Sequence, residues 1–205
     1  MSSATKTTAA RAPKRLRGQQ RVAELLDAGM AVFAEKGYEA ATMTEIAARA
    51  GAPIGSLYQF FPTKDAIADT LIDRYVALLE SDLELLKSRA PDMDTATLVE
   101  HLFALLRSNP RERAAALPLA EARMDERTRR SKFRNVLRKR IADILRARTS
   151  ALSSEQARDM AIVVLQLMKA AGTLSDEDAL PGRAAALRDL RELARLHLDR
   201  RSAKS

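Results

Sequence analysis

The sequence predicts an all-α protein, and three observations carry that prediction. Apolar residues recur at helical spacing along most of the chain. Helix caps and helix breakers punctuate it at short intervals, and no segment sustains the period-2 alternation of a half-buried strand. With 205 residues, 46% of them hydrophobic, the chain holds enough apolar surface for a core and is long enough for one domain or two small ones. The longest strongly apolar stretch, Met160 to Met168, is interrupted by Gln166 and falls well short of the ~20 residues a membrane helix needs. A soluble, cytoplasmic protein with no membrane partner is expected.

The elements follow in order. Residues 1–21 carry Lys6, Arg11, Lys14, Arg15, Arg17 and Arg21, no acid, and much Ser, Thr and Ala. Such a composition cannot bury enough apolar surface to fold, so residues 1–17 read as a disordered basic arm. Val22, Leu25, Leu26, Gly29, Met30 and Phe33 then lie on one helix face, and Gly37 stops that helix. Thr42 and Glu45 form a capping box for a short helix from Thr44 to Ala50, in which each side chain satisfies the other's free backbone N–H. Pro53 sits at the start of a third helix, Ile54 to Phe60 or Phe61, which Pro62 ends. Thr63 caps a longer fourth helix, Lys64 to about Ser88, broken by Pro91.

Helices continue to the end. The segments are Asp94 to Ser108, closed by Asn109-Pro110, then Arg111 to Arg123 with Pro118 inside, then Asp125 to Arg148. A second box, Ser153 with Gln156, opens Ser153 to Gly172, and Gly182 to Arg201 is last, with Leu187, Leu190, Leu193 and Leu196 on one side.

Charge is uneven. The chain holds 35 Lys+Arg against 27 Asp+Glu, a net +8. Residues 1–21 contribute six uncompensated positive charges, whereas residues 22–86 hold 4 basic and 11 acidic residues, and residues 87–150 hold 16 and 8. Cysteine is absent and the two histidines, His101 and His197, are far apart. That excludes a disulfide framework, a thiolate metal site and a cysteine nucleophile, and leaves little for a zinc site or a Ser-His-Asp triad. No enzyme activity, metal or cofactor is expected.

The two short helices around Ala50-Gly51-Ala52 have the form of a helix-turn-helix, whose second helix enters a DNA major groove. Gly55, Ser56, Tyr58 and Gln59 give that helix a small, uncharged surface of hydroxyls, an amide and an exposed backbone, suited to phosphates and base edges. Leu57, Phe60 and Phe61 remain for packing. Thr42-x-Thr44-Glu45-Ile46-Ala47, Ala50-Gly51, and Ile54-Gly55-Ser56-Leu57-Tyr58-Gln59-Phe60-Phe61-Pro62-Thr63-Lys64 together resemble the DNA-binding domain of the TetR (tetracycline repressor) family. The likeness runs from about Arg21 to Ile72, and the later helices match that family in architecture only.

The resemblance implies a helix-turn-helix DNA-binding domain over residues 18–64 and a helical ligand-binding and dimerisation domain over 65–205. Thr42 would anchor a phosphate, and Thr44 would reach a base or a phosphate. Gly55, Ser56 and Gln59 would face the groove, while Tyr58 and Lys64 would clamp the backbone. Arg15 and Arg17 of the arm would add phosphate contacts. Two positions depart from the family's pattern. Phe60 stands where Tyr or His is common, and Pro53 stands where a serine cap is common. The partners implied are double-stranded DNA with a palindromic operator, a small-molecule effector and a second copy of the chain. A helical protein that has lost specific DNA binding is the alternative.

For the second domain, His101, Phe103, Met124, Met160 and Met168, with Met93, are candidate pocket residues, although each could equally fill a core. Val164, Leu167, Ala171, Leu190 and Leu193 are the candidate dimer residues, because the helix from Ser153 is apolar nearly all round and needs two partners. On it Met160, Val163, Val164, Leu167 and Met168 form one face, Ile162 and Leu165 another. The basic helix Arg127 to Arg148 reads as a solvated face, with an anionic-ligand or second nucleic-acid site as the sharper alternative.

Overall fold

The computed structural model describes residues 16–105, 107–123 and 128–202, and every regular element among them is a helix. The order is α1 (Leu16–Ala40), α2 (Met43–Arg49), α3 (Ile54–Phe60), α4 (Lys64–Arg89), a 3-10 turn (Ala90–Asp92), α5 (Thr95–Leu105), α6 (Pro110–Arg123), α7 (Thr128–Arg148), α8 (Ser154–Ser175) and α9 (Arg183–Ser202). Their ends follow the local signals. Gly37, at φ 75°, kinks α1 where a stop was expected, and helical bonding then continues to Ala40. Both capping boxes form, at Thr42–Glu45 and Ser153–Gln156. Pro53 caps α3 without any side-chain bond. α6 runs on through Pro118, which faces solvent. Among the described residues no helix is long and apolar enough to cross a membrane.

Contacts divide the chain into two units. The first runs to Ala77 and takes in α6, and the second comprises Leu78–Ser108 with α7, α8 and α9. The expected boundary after residue 64 differs from this division, because α4 passes through it unbroken. α6 also belongs to the first unit rather than with its neighbours in sequence, because its buried Ala115 and Leu119 pack on α1.

The core of the first unit joins Leu25, Leu26 and Phe33 of α1 to Ile46 and Ala47 of α2, Leu57 of α3, Phe61 just after it, and Ile67 and Leu71 of α4. Each fully buried large side chain here contributes about 1.5–3 kcal/mol. Gly29 lets α1 and α4 meet: a Cβ there would lie 2.8 Å from Ile67 Cγ2.

The core of the second unit is built on α8, which packs against α7 and α9, with α5 completing it. The buried face of α8 is Ala157, Met160, Ala161, Val164, Leu165, Met168 and Ala171. This corrects the expected faces: Leu165 points inward and Val163, like Ile162, points out. The leucines of α9 likewise split. Leu187 and Leu190 pack on the core with Ala194 and Leu198, while Leu193 and Leu196 are exposed.

Candidate nucleic-acid interface

The turn between α2 and α3 is set by hydrogen bonds from three successive residues. Ala50 N–H donates to Ile46 O at 3.0 Å, Gly51 N–H to Ala48 O at 3.1 Å, and Ala52 N–H to Ala47 O at 2.9 Å. The last two bonds make a Schellman motif, which needs a left-handed residue at its centre. Gly51 supplies it at φ 59°. The chain leaves α2 on a defined course, and Leu57 and Phe61, one helical turn apart, anchor α3 in the core.

With that side buried, the rest of α3 faces solvent. Tyr58 is 50% exposed, Gly55 and Gln59 are exposed, and Ser56 is half-buried; on α2, Thr44 is exposed. The expected α3 residues thus lie on one short helix. Ile54, one turn before Tyr58 and 41% exposed, joins this face, although sequence reasoning did not single it out. The signal was the i, i+4 spacing of Ile54 and Tyr58, which puts both on one stripe of α3. Nothing lies within 4 Å of where a Gly55 Cβ would stand, and the residue is helical. Glycine inside a helix costs about 0.5–1 kcal/mol relative to alanine, and no contact within the chain explains it here.

The polar residues at the edges of this face are occupied within the chain. The Thr42 hydroxyl donates to Glu45 Oε2 at 3.0 Å and accepts the Glu45 N–H at 3.3 Å. A phosphate at Thr42 would have to compete for that proton. The Lys64 ammonium donates to Tyr38 O at 2.7 Å and Glu39 O at 3.1 Å, and sits 4.4 Å over the Tyr38 ring. It closes the carbonyl end of α1, leaving one of its three N–H donors for a phosphate. Phe60 is half-buried against the core, so its ring packs rather than standing in for an exposed Tyr or His.

The other cations of the first unit near this face are also paired. Arg49 forks onto Glu35 at 2.7 and 2.5 Å, Lys36 bonds Glu45, and Arg21 meets Glu24 at 2.8 Å. The Arg49 guanidinium holds the Glu35 carboxyl below its ordinary range. Lys36 and then Thr42 do the same for Glu45. Arg17 is exposed near the start of α1, and Arg15 lies outside the described residues.

In the second unit the described candidate pocket residues sit mostly in the core. Phe103, Met160 and Met168 are buried together as core, Met93 packs beside them, and Met124 lies outside the described residues. His101 is half-buried, with Nδ1 2.8 Å from the Thr97 carbonyl one turn earlier on α5. A crevice among Phe103, Arg107, Ala171, Gly172, Ser175 and Arg191 holds about 10 Å³, space for a water at most. The candidate dimer residues divide between the core and the surface. Val164 and Ala171 are buried in the chain's own core, and Leu167 and Leu190 are half-buried against it. Of the five, Leu193 is exposed, at 54%; the other outward residues are Ile162 and Val163 of α8 and Leu196 of α9. An all-round apolar helix carries no periodic signal to say which side faces inward.

The family model described as "Bacterial regulatory proteins, tetR family" matches residues 25–71, which spans α2, α3 and their neighbours. The chain is 37% identical over 71 residues to the A-factor receptor protein of Streptomyces griseus, covering 35% of this chain and 26% of that protein. It is 29% identical over 94 residues to the HTH-type transcriptional repressor KstR of Mycobacterium tuberculosis, covering 45% of this chain and 43% of that protein. The chain thus spans less than half the length of these curated relatives. A crystal structure of a TetR-family transcriptional regulator from Streptomyces coelicolor shares the fold, with a TM-score of 0.57, 24% identity, 88% of this chain covered and 98% of that one.

Proposed function

We propose that the chain is a member of the TetR family of bacterial regulatory proteins, whose model its residues 25–71 match, and that it is a sequence-specific DNA-binding repressor, acting as a homodimer and released from DNA by a small-molecule effector. The observation that carries this reading is the solvent-facing, uncharged side of α3, with Gly55 open at its centre. α3 enters the major groove while α2 crosses the backbone. The Gln59 amide and Ser56 hydroxyl read base edges, Ile54 offers apolar contact to a thymine methyl, and Gly55 lets the backbone come close. Thr44, Tyr58 and the remaining Lys64 donor hold phosphates. The cations flanking α3 are engaged internally, so Arg11, Lys14 and Arg15 of the arm, with Arg17 at the start of α1, supply most of the positive charge.

Ile162, Val163, Leu193 and Leu196 leave one side of α8 and α9 apolar and exposed. Two such pairs make a four-helix interface about a two-fold axis. Its symmetry calls for a palindromic operator with half-sites about 34–36 Å apart, or multiples of that. The named relatives, a receptor and a repressor, favour an effector-responsive repressor. An effector releases DNA only by the amount that it prefers the unbound state. Selecting bound fragments of the source genome tests the reading. A specific site should be recovered, and Tyr58→Ala should weaken it at least about tenfold, 1.4 kcal/mol. Recovery of no fragment above random sequence would sink the proposal.

A further inference from the structure

Residues 22–86 hold 4 basic residues, and each is engaged within the first unit. Lys36 bonds Glu45, Arg49 forks onto Glu35, Lys64 closes the carbonyl end of α1, and Arg74 meets Glu112 at 3.6 Å. The first of these pairs stands apart because of what else its carboxylate holds. Glu45 Oε1 takes the Lys36 ammonium, while Oε2 takes both the Thr42 N–H at 3.1 Å and the Thr42 hydroxyl at 3.0 Å. Thr42 opens α2, the helix that crosses the DNA backbone in a helix-turn-helix. Lys36, near the end of α1, is thus drawn to the element that meets phosphate.

The same carboxylate keeps it from the phosphate. Glu45 is tied to Thr42 through Oε2 and through its own N–H, which donates to the Thr42 hydroxyl at 3.3 Å, so it does not follow the ammonium outward. A Lys36 that left for DNA would strand this anchored negative charge beside another. Lys36 first, then Thr42, hold the Glu45 carboxyl below its ordinary range, so the charge is present at neutral pH. Together the pair is neutral, whereas sequence-independent DNA affinity comes from cations that neutralise phosphates and release their counterions.

We propose that Glu45 withholds Lys36 from the DNA backbone and so holds down the sequence-independent part of binding, leaving recognition to the uncharged face of α3. This role rests on the DNA-binding reading above. Glu45→Gln isolates it, because glutamine serves in the same capping box at the start of α8. There Gln156 Oε1 accepts the Ser153 N–H at 2.8 Å, and the Gln156 N–H donates to Ser153 Oγ at 3.1 Å. The variant should keep α2 and melt near the wild type, since an exposed ion pair adds little stability, while Lys36 is released.

The test measures binding of the full chain to random-sequence duplex by fluorescence anisotropy across a salt series. Glu45→Gln should steepen the fall of log affinity with log salt by about 0.9, so that affinities at about 50 and 200 mM salt differ about 3.5-fold more than in the wild type. Lys36→Gln alone should leave the wild-type slope, and Lys36→Gln added to Glu45→Gln should return the slope to it. Asp27→Asn, which removes an equal charge from an exposed site elsewhere on α1, should leave the slope unchanged. An unchanged slope in Glu45→Gln overturns the role of Glu45. So does a steepening that persists without Lys36 or that Asp27→Asn reproduces, and so does a shallower slope in Lys36→Gln alone. Genomic fragments recovered with no change of slope keep the regulator and remove this role. A steeper slope with no fragment recovered above random sequence does the reverse. A chain that binds no duplex overturns both.

Discussion

Gly55→Ala separates what the fold needs from what DNA needs. The added Cβ meets no atom of the chain within 4 Å, and Gly55 has no left-handed backbone to lose. Within the protein the substitution therefore changes only helix propensity, a gain of about 0.5–1 kcal/mol. For a chain of this size that is about 1–4 °C in Tm. With α3 in the major groove as proposed, the same carbon would stand where the groove wall comes closest. Overfilling a tight contact by one carbon costs about 1–3 kcal/mol, or about five- to 150-fold in Kd. The variant should thus melt higher by circular dichroism and bind its selected operator more weakly by fluorescence anisotropy. Unchanged affinity would show that DNA does not approach Gly55, and the groove-facing assignment of α3 would fail. A lower Tm would show that the helix surface there is not open, which refutes the energetic premise.

Gly29→Ala should do the opposite. Its Cβ would stand 2.8 Å from Ile67 Cγ2, so urea unfolding should show a loss of about 1–3 kcal/mol. Deleting residues 2–16 should shallow the slope of log affinity against log salt by about 0.9 for each phosphate contact removed, read by binding at several salt concentrations. Leu193→Glu should give monomers in sedimentation with helicity intact, whereas Val164→Ala should leave the dimer and lower stability by about 1–3 kcal/mol. Acid should loosen the α1–α2 junction. Glu35 and Glu45 are held below the ordinary glutamate value of 4.5, so their contribution is full above that value and is lost as pH falls through their lower folded values. Thermal midpoints should be steady from neutrality to about pH 5 and fall below pH 4.5, and the Glu35→Gln, Glu45→Gln double variant should show a shallower acid fall.

Wherever a few neighbouring residues settle the matter, the chain could be read without coordinates. Thr42 with Glu45, Ser153 with Gln156, Gly51 in its turn and Pro62 after α3 act within four residues, and the helices begin and end where these signals stand. The α3 surface was legible for the same reason. Seven residues with Leu57 inside leave Gly55, Tyr58 and Gln59 outside.

Pairings between residues distant in the chain were not legible, because they depend on which helices become neighbours. Lys64 looks like a spare cation until the end of α1 is brought 25 and 26 residues back in sequence to accept its bonds. α6 looks like part of the second domain until Ala115 and Leu119 find α1. On α8 the apolar residues surround the axis, so only the positions of α5, α7 and α9 decide that Val164 and Ala171 are core while Ile162 and Val163 remain outside. The basic run of α7 divides in the same way. Arg140 finds carboxylates on α4, while the buried Nε of Arg138 meets no hydrogen-bond partner among the described residues. Composition sets how much charge and apolar surface a chain carries, but burial and pairing belong to contacts that close only when distant segments meet.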